Sequence, residues 1–168
     1  MEHGEFIVSV LTVGKEQLMK GVVLVASAIL MTAITASAAD GVLSVGSSFS
    51  VRETADRMER VLKEKGMTVF NRIGHAEAAA KVGIELRDTE LIIFGNPKVG
   101  SSLMKCQQSV GLDLPLKALI WADGQEKVWV SYDDPRYLEK RHAITGCEET
   151  LAKVEQALAG IVKSAATD

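Results

Sequence analysis

The chain has 168 residues, 47% of them hydrophobic, and its 19 basic and 22 acidic side chains give a net charge of −3 at neutral pH. A charge this close to neutral argues against the broad basic surface by which proteins bind nucleic acid or an anionic membrane. The segment 40–168 has a common size for one domain and contains no repeat, low-complexity tract or linker.

The first 39 residues have the pattern of an export signal behind an upstream extension. Met19 and Lys20 precede an uncharged apolar run over 21–35, which ends in small residues that a signal peptidase accepts. We therefore expect Met19 as the true start, cleavage after Ala38 or Ala39, and a periplasmic or secreted protein exported in the bacterial manner. The alternative is an uncleaved membrane anchor, because the uncharged stretch approaches the ~20 residues that span a bilayer.

The first predicted elements are strands and helices in alternation. A capping box of Ser50 with Glu53 starts the first helix, and Gly66 ends it. The strand from Glu90 to Phe94 has no polar face, so we expect it in the centre of a sheet. The remaining predicted elements in this half are two strands, over 42–49 and 67–73, and a short helix over 75–82.

The second half of the chain is predicted to contain a hairpin and two helices. Asp123-Gly124 joins strands over 116–122 and 127–132 in an antiparallel turn. Single-sided apolar stripes on the helices, together with this hairpin, favour a two-layer α+β sandwich over a doubly wound parallel sheet.

Two cap signals mark the last helices. Asp134 is the predicted N-cap of one helix, with Pro135 at its first position. A capping box of Thr145 with Glu148 starts the other, whose apolar stripe must lie on the sheet. That stripe consists of Leu151, Val154, Leu158 and Ile161.

Polar residues follow the third predicted strand at its exit. Pro97 holds the chain extended there, so Asn96 and Lys98 are expected at the rim of the sheet. Asparagine offers a donor and an acceptor, and lysine a cation for a carboxylate or phosphate. The alternative is that Asn96 bonds its own turn while Lys98 is solvated. Ser101 is predicted to cap the helical segment that follows and that ends at 111–115.

Two histidines are candidates for ligand contact or acid/base chemistry. His75 lies at a strand-to-helix junction, and His142 lies near a helix end, where the helix dipole favours a protonated imidazole. A structural role is the alternative for both. Their spacing from each other and from Asp113 or Asp134 matches no ligand motif, so we predict no metal site.

The two cysteines allow two interpretations. A bridge between Cys106 and Cys147 would close a loop in the unfolded chain. The lost conformational entropy of that chain would stabilise the folded state by roughly 4 kcal/mol. Each cysteine also shares a helical face with apolar neighbours, which is the pattern of a buried thiol. The sequence favours buried thiols over the bridge, because the separation and direction of the two side chains cannot be inferred from it.

Aromatic side chains cluster on the predicted hairpin. On the second strand of this hairpin, Tyr132 shares one face with two valines, and Trp129 lies on the opposite face. Helices on one side of the sheet cannot cover both faces. Trp121 also lies on the hairpin. The face that stays uncovered, either that of Trp129 or that of Tyr132, therefore predicts a homodimer through the sheet or a groove for an apolar ligand.

Four segments of the chain follow one another as Ala80–Gly83, Glu90–Lys98, Leu112–Ala118 and Val128–Pro135. With the elements around them, over about 42–142, they resemble a known family, domain of unknown function 302. The resemblance implies a strand, a helix, four strands and a helix, with helices packed on one face of a curved, mainly antiparallel sheet of four to five strands. It implies no settled activity. The family often has an acidic residue where Gly74 precedes His75, which weakens any scheme that needs a carboxylate there.

These observations predict one α+β domain over 40–168 that binds a small ligand or a copy of itself, without turning over a substrate. The alternative is an enzyme in which His75 or His142 acts as acid/base and Lys98 stabilises negative charge, or in which Cys106 acts as a thiol. The cofactor is left open, nucleic acid is not an expected partner, and a membrane is one only if the signal stays uncleaved. The candidate ligand-binding residues are Asn96, Lys98, Met104, Tyr132, His142 and His75.

Overall fold

The computed structural model describes residues 40–168, so the predicted extension and signal over 1–39 lie outside the described residues. Within 40–168, none of the helices is both long enough and apolar enough to cross a bilayer. The strands are β1 Val42–Ser47, β2 Thr68–Gly74, β3 Thr89–Gly95, β4 Leu116–Ala122 and β5 Val128–Asp133. The helices are α1 Val51–Glu64, α2 His75–Ala80, α3 Pro97–Cys106, α4 Pro135–His142 and α5 Glu148–Ala166, and a 3-10 turn spans Gln108–Leu112.

The five strands form one sheet in the order β1-β5-β4-β3-β2, and every neighbouring pair is antiparallel. The predicted hairpin is confirmed as β4 and β5, with Trp121 opposite Trp129. The prediction that 90–94 is the central strand is wrong: β3 is an inner strand, and β4 is central. An all-apolar strand needs neighbours on both sides, which β3 has in β2 and β4, but this pattern does not distinguish among inner positions.

One face of the sheet carries the core. Ile92, Phe94, Ala118, Ile120 and Val130 point to this face from β3, β4 and β5 and are fully buried. Helix α1 packs on β3 and β4, and α5 packs on α1 and β1. The predicted stripe of α5 is buried as expected. The protein is therefore an α+β sandwich with an antiparallel sheet, as predicted.

The helix starts show where cap signals hold and where they fail. Ser50 caps α1 by accepting from the Glu53 N–H at 3.2 Å, and Asp134 caps α4 by accepting from Arg136 N–H at 2.9 Å. The start predicted at Thr145 is wrong, because Gly146 adopts a left-handed backbone with φ 78° and α5 begins only at Glu148. The Glu148 carboxylate instead accepts from the Gly146 N–H at 2.8 Å.

Candidate functional site

A cavity of about 710 Å³ lies beside the end of β3. Its walls are α3, the 3-10 turn, the segment leading into β4, and one side of the first half of α5. Most of the lining side chains are apolar, and Phe70 and Met104 are large apolar residues that stay exposed, at 52% and 37%. Among residues 40–168, Lys98 and Lys153 are the only charged ones that line it. The cavity therefore presents carbon surface with two cationic residues.

Asn96 sets the position of the α3 wall. Its side-chain oxygen accepts from the N–H groups of Lys98 at 3.0 Å and Val99 at 3.3 Å, and Pro97 occupies the first helical position. Asn96 is thus the N-cap of α3, and the prediction that Ser101 caps this helix is wrong, because Ser101 lies inside it. The Asn96 amide oxygen is used within its own turn, which was the alternative interpretation of this segment.

Cys106 and Cys147 form a disulfide with a Cα–Cα distance of 6.3 Å. The favoured prediction of two separate buried thiols is therefore wrong, and the bridge, which was the less favoured interpretation, is present. Cys106 is the last residue of α3, and Cys147 immediately precedes α5. The bridge therefore joins two walls of the cavity covalently.

The structure brings together only part of the predicted ligand site. Asn96, Lys98 and Met104 line the cavity, whereas Tyr132, His142 and His75 do not. Tyr132 points to the covered face of the sheet and is 8% exposed, and this burial raises the pKa of its hydroxyl above the usual value.

The two histidines lie at opposite ends of the sheet. His75 follows Gly74, which pairs with Glu90 at the start of β3. His142 contacts Asp113, which lies just before β4, and β4 begins opposite the end of β3. Lys98 follows the end of β3, at the opposite end of the sheet from His75, so the alternative in which His75 acts with Lys98 lacks the required geometry.

His142 is instead the centre of a separate polar cluster. Its Nδ1 lies 3.0 Å from the Ser109 hydroxyl, and its Nε2 lies 2.6 Å from Asp113 Oδ2. Arg141 donates to the other oxygen of Asp113 at 3.3 Å. No local spacing indicates this grouping, because Ser109 lies 33 residues from His142 and Asp113 lies 29 residues from it.

A charged cluster occupies the far end of the sheet, near His75. Arg72 on β2 bonds the carboxylates of Glu90 and Asp56, and its contact with Asp56 is 2.5 Å. The hydrogen bond that Arg72 donates to Glu90 is the main reason that the pKa of Arg72 is raised. The cluster borders a cavity of about 300 Å³. Within 40–168, three or more histidine, cysteine, aspartate or glutamate residues are nowhere grouped so as to hold a metal ion.

The second face of the sheet carries Trp121 and Trp129, which are both half-buried. Trp121 donates to the Ser131 hydroxyl at 2.9 Å, and Trp129 donates to Asp123 at 2.8 Å, so both indole N–H groups have partners in the chain. Lys127 lies 4.1 Å from the centre of the Trp129 ring. The homodimer predicted through this face stays a prediction.

Comparisons with known proteins place the chain in a family. Residues 43–163 match the family described as Domain of unknown function DUF302. The chain is 46% identical over 104 residues to a "Fluoride-specific ion channel FluC 1" of Brucella suis biovar 1 (strain 1330), covering 62% of this chain and 41% of that one. It is equally identical over 104 residues to the protein of the same name in Brucella abortus biovar 1 (strain 9-941), covering 38% of it. The chain thus spans about two fifths of the length of these relatives.

A solved structure shares the fold. It is the uncharacterized conserved protein DUF302 from Bacillus stearothermophilus, with a TM-score of 0.69 and 21% identity, and the match covers 76% of this chain and 99% of that one. A likeness at this identity concerns the fold alone. Because the family match extends over most of the chain, this protein belongs to the DUF302 family.

Proposed function

We propose that the described domain belongs to an exported protein and binds an apolar small molecule in the cavity between α3 and α5. The observation that carries the proposal is the cavity itself. Its volume of about 710 Å³ lies within the range of roughly 300–1,000 Å³ that is usual for small-molecule sites. Its lining is mostly apolar with few polar groups, which is also usual for such sites.

The exposure of the lining supports a ligand rather than a packing defect. Phe70 and Met104 each leave more than a third of their surface in water, although both are large and apolar. A cluster of exposed apolar side chains in a concave site is a common sign of binding. A ligand that covers them would gain roughly 25 cal/mol for each Å² of apolar surface removed from water.

The charges at the cavity limit the class of ligand. Lys98 and Lys153 line it, and no acidic residue in the described part of the chain does. Lys153 is partly neutralised by Glu149 at 2.7 Å on the exposed side of α5. These residues favour a neutral or anionic apolar molecule and disfavour a cation.

The activity stated in the name of the Brucella relatives does not apply directly to this chain. Fluoride conduction is what that name states of those proteins, and this chain covers about two fifths of their length. Fluoride is small and strongly hydrated, whereas the observed cavity is large and mainly apolar. The cavity therefore favours an apolar organic ligand.

The disulfide supports the export part of the proposal. Disulfides persist in oxidising compartments such as the periplasm or the medium and are rare in the cytosol. The bridge between Cys106 and Cys147 fits a protein that carries the predicted signal over residues 19–39.

The binding proposal is tested with N-phenylnaphthylamine, a neutral apolar dye, and with straight-chain alkanols that displace it. We expect saturable dye fluorescence and a displacement constant that falls about fourfold with each added methylene, since each buried methylene contributes about 0.8 kcal/mol. The gain should stop once the chain is longer than the cavity. Dye that does not bind, or alkanols of all lengths that displace it equally, would contradict the proposal.

A further inference from the structure

The cluster around His142 has the hydrogen-bond order of a nucleophile, a base and an orienting carboxylate. An ionised Asp113 can only accept, so Nε2 of a neutral His142 carries the hydrogen and donates it over 2.6 Å. Nδ1 is then left as an acceptor, and the Ser109 hydroxyl is its donor at 3.0 Å. The order matches the Ser-His-Asp triads of hydrolases, with the two ring nitrogens exchanged.

The burial of the three residues follows the same order. Ser109 is exposed, His142 is 8% exposed, and the side chain of Asp113 is 15% exposed. The hydroxyl is therefore accessible, whereas the imidazole and the carboxylate are shielded from water, which strengthens their interaction. Arg141 holds the second oxygen of Asp113, and Lys117 donates to the Asp113 carbonyl at 2.9 Å. The Arg141 contact holds the carboxylate that orients the ring, and the Lys117 contact holds the backbone of the same residue.

The cluster adjoins the apolar cavity. Val110 and Gly111, the two residues after Ser109, line the cavity, and so does Leu138, one helical turn before His142. A substrate with an apolar chain in the cavity would have its polar end close to this part of the 3-10 turn.

We propose that Ser109 is the nucleophile of an acyl-transfer site that acts on esters with an apolar acyl chain. Its activation follows from the cluster alone, whereas the choice of acyl chain rests on the proposed function of the cavity. His142 accepts the hydroxyl proton, and Asp113 is a positioning residue that orients His142 and stabilises its protonated form.

The reaction has two halves. Ser109 Oγ attacks the ester carbonyl carbon while its proton moves to His142 Nδ1, and the alcohol leaves with that proton as the acyl–oxygen bond breaks. A water molecule then attacks the acyl-serine and gives a proton to His142. The bond to Ser109 Oγ breaks, the serine takes that proton back, and a carboxylic acid is released.

The experiment is labelling of the purified protein by an alkyl fluorophosphonate, with the modified residue located by peptide mass spectrometry. We expect one modification, at Ser109, and none after Ser109→Ala, which changes an exposed side chain. Asp113→Asn should slow labelling by roughly a hundredfold, the usual scale for acid–base assistance, and Asp113→Glu should restore part of the rate. Nitrophenyl decanoate should be hydrolysed faster than nitrophenyl acetate.

The control is Ser164→Ala, which alters another exposed serine, on α5 and away from the cavity lining, and should leave labelling unchanged. A hydrogen bond with a purely structural role would leave Ser109 no more reactive than Ser164, and equal labelling of the two would overturn the proposal. Equal hydrolysis of both esters by a protein labelled at Ser109 would overturn the acyl preference alone. Dye binding is measured in the same samples, so failure of the cavity proposal is seen separately.

Discussion

Replacement of both Cys106 and Cys147 by alanine is expected to lower the free energy of unfolding by about 4 kcal/mol. The bridge closes a loop with a sequence separation of 41, and without it the unfolded chain gains conformational freedom. Native domains are stable by roughly 5–15 kcal/mol, so this loss is a large fraction of the total. Urea unfolding of the oxidised protein and of the variant measures the difference.

The control separates the bridge from the packing of the side chains. The wild-type protein reduced with dithiothreitol should unfold at nearly the same urea concentration as the double alanine variant, because both lack the cross-link. Protein recovered from the periplasm or medium should contain no reactive thiol before reduction. A variant as stable as the oxidised protein, or two free thiols in the isolated protein, would contradict the structural role of the bridge.

The substitution Ala157→Phe is expected to weaken dye binding at least ~tenfold. If the phenyl ring displaces only as much of the dye's apolar surface as two methylenes bury, the binding free energy already falls by about 1.6 kcal/mol. Ala157 lines the cavity from α5, yet it is exposed, so a phenyl ring there can extend into the cavity without entering the core. The fold should therefore remain intact. Fluorescence titration measures the affinity, and circular dichroism confirms the fold.

Ala159→Phe is the matched control. Ala159 lies on the same helix and is also exposed, but it does not line the cavity. Its substitution changes helix propensity and surface hydrophobicity by the same amount as that of Ala157. If the two variants bind the dye equally well, the dye does not occupy the cavity.

The fold could be predicted where a local signal and a packing requirement agree. The α5 stripe from Leu151 to Ile161 has helical spacing and must be buried, so its position on the core followed from the sequence. The turn at Asp123-Gly124 defined β4 and β5 for a similar reason, because few other structures fit a turn pair between two apolar runs. Asp134 followed by Pro135 predicted the start of α4 correctly.

The site was harder to predict because it depends on contacts between distant parts of the chain. Ser109, Asp113 and His142 meet only after the 3-10 turn packs against α4, and no local spacing records that event. The pairing of the cysteines depends in the same way on where α3 ends relative to α5. Thr145 showed the opposite failure: a capping signal was present, but Gly146 turned the chain and moved the start of the helix.

The central claim, an apolar ligand between α3 and α5, is tested most directly by a crystal structure of the protein with a long-chain alkanol that carries a terminal bromine. We predict an anomalous bromine peak inside the cavity, in contact with side chains such as Leu103, Leu114 or Leu158. An empty cavity at saturating alkanol, or a peak only on the sheet face that carries Trp121 and Trp129, would contradict the account.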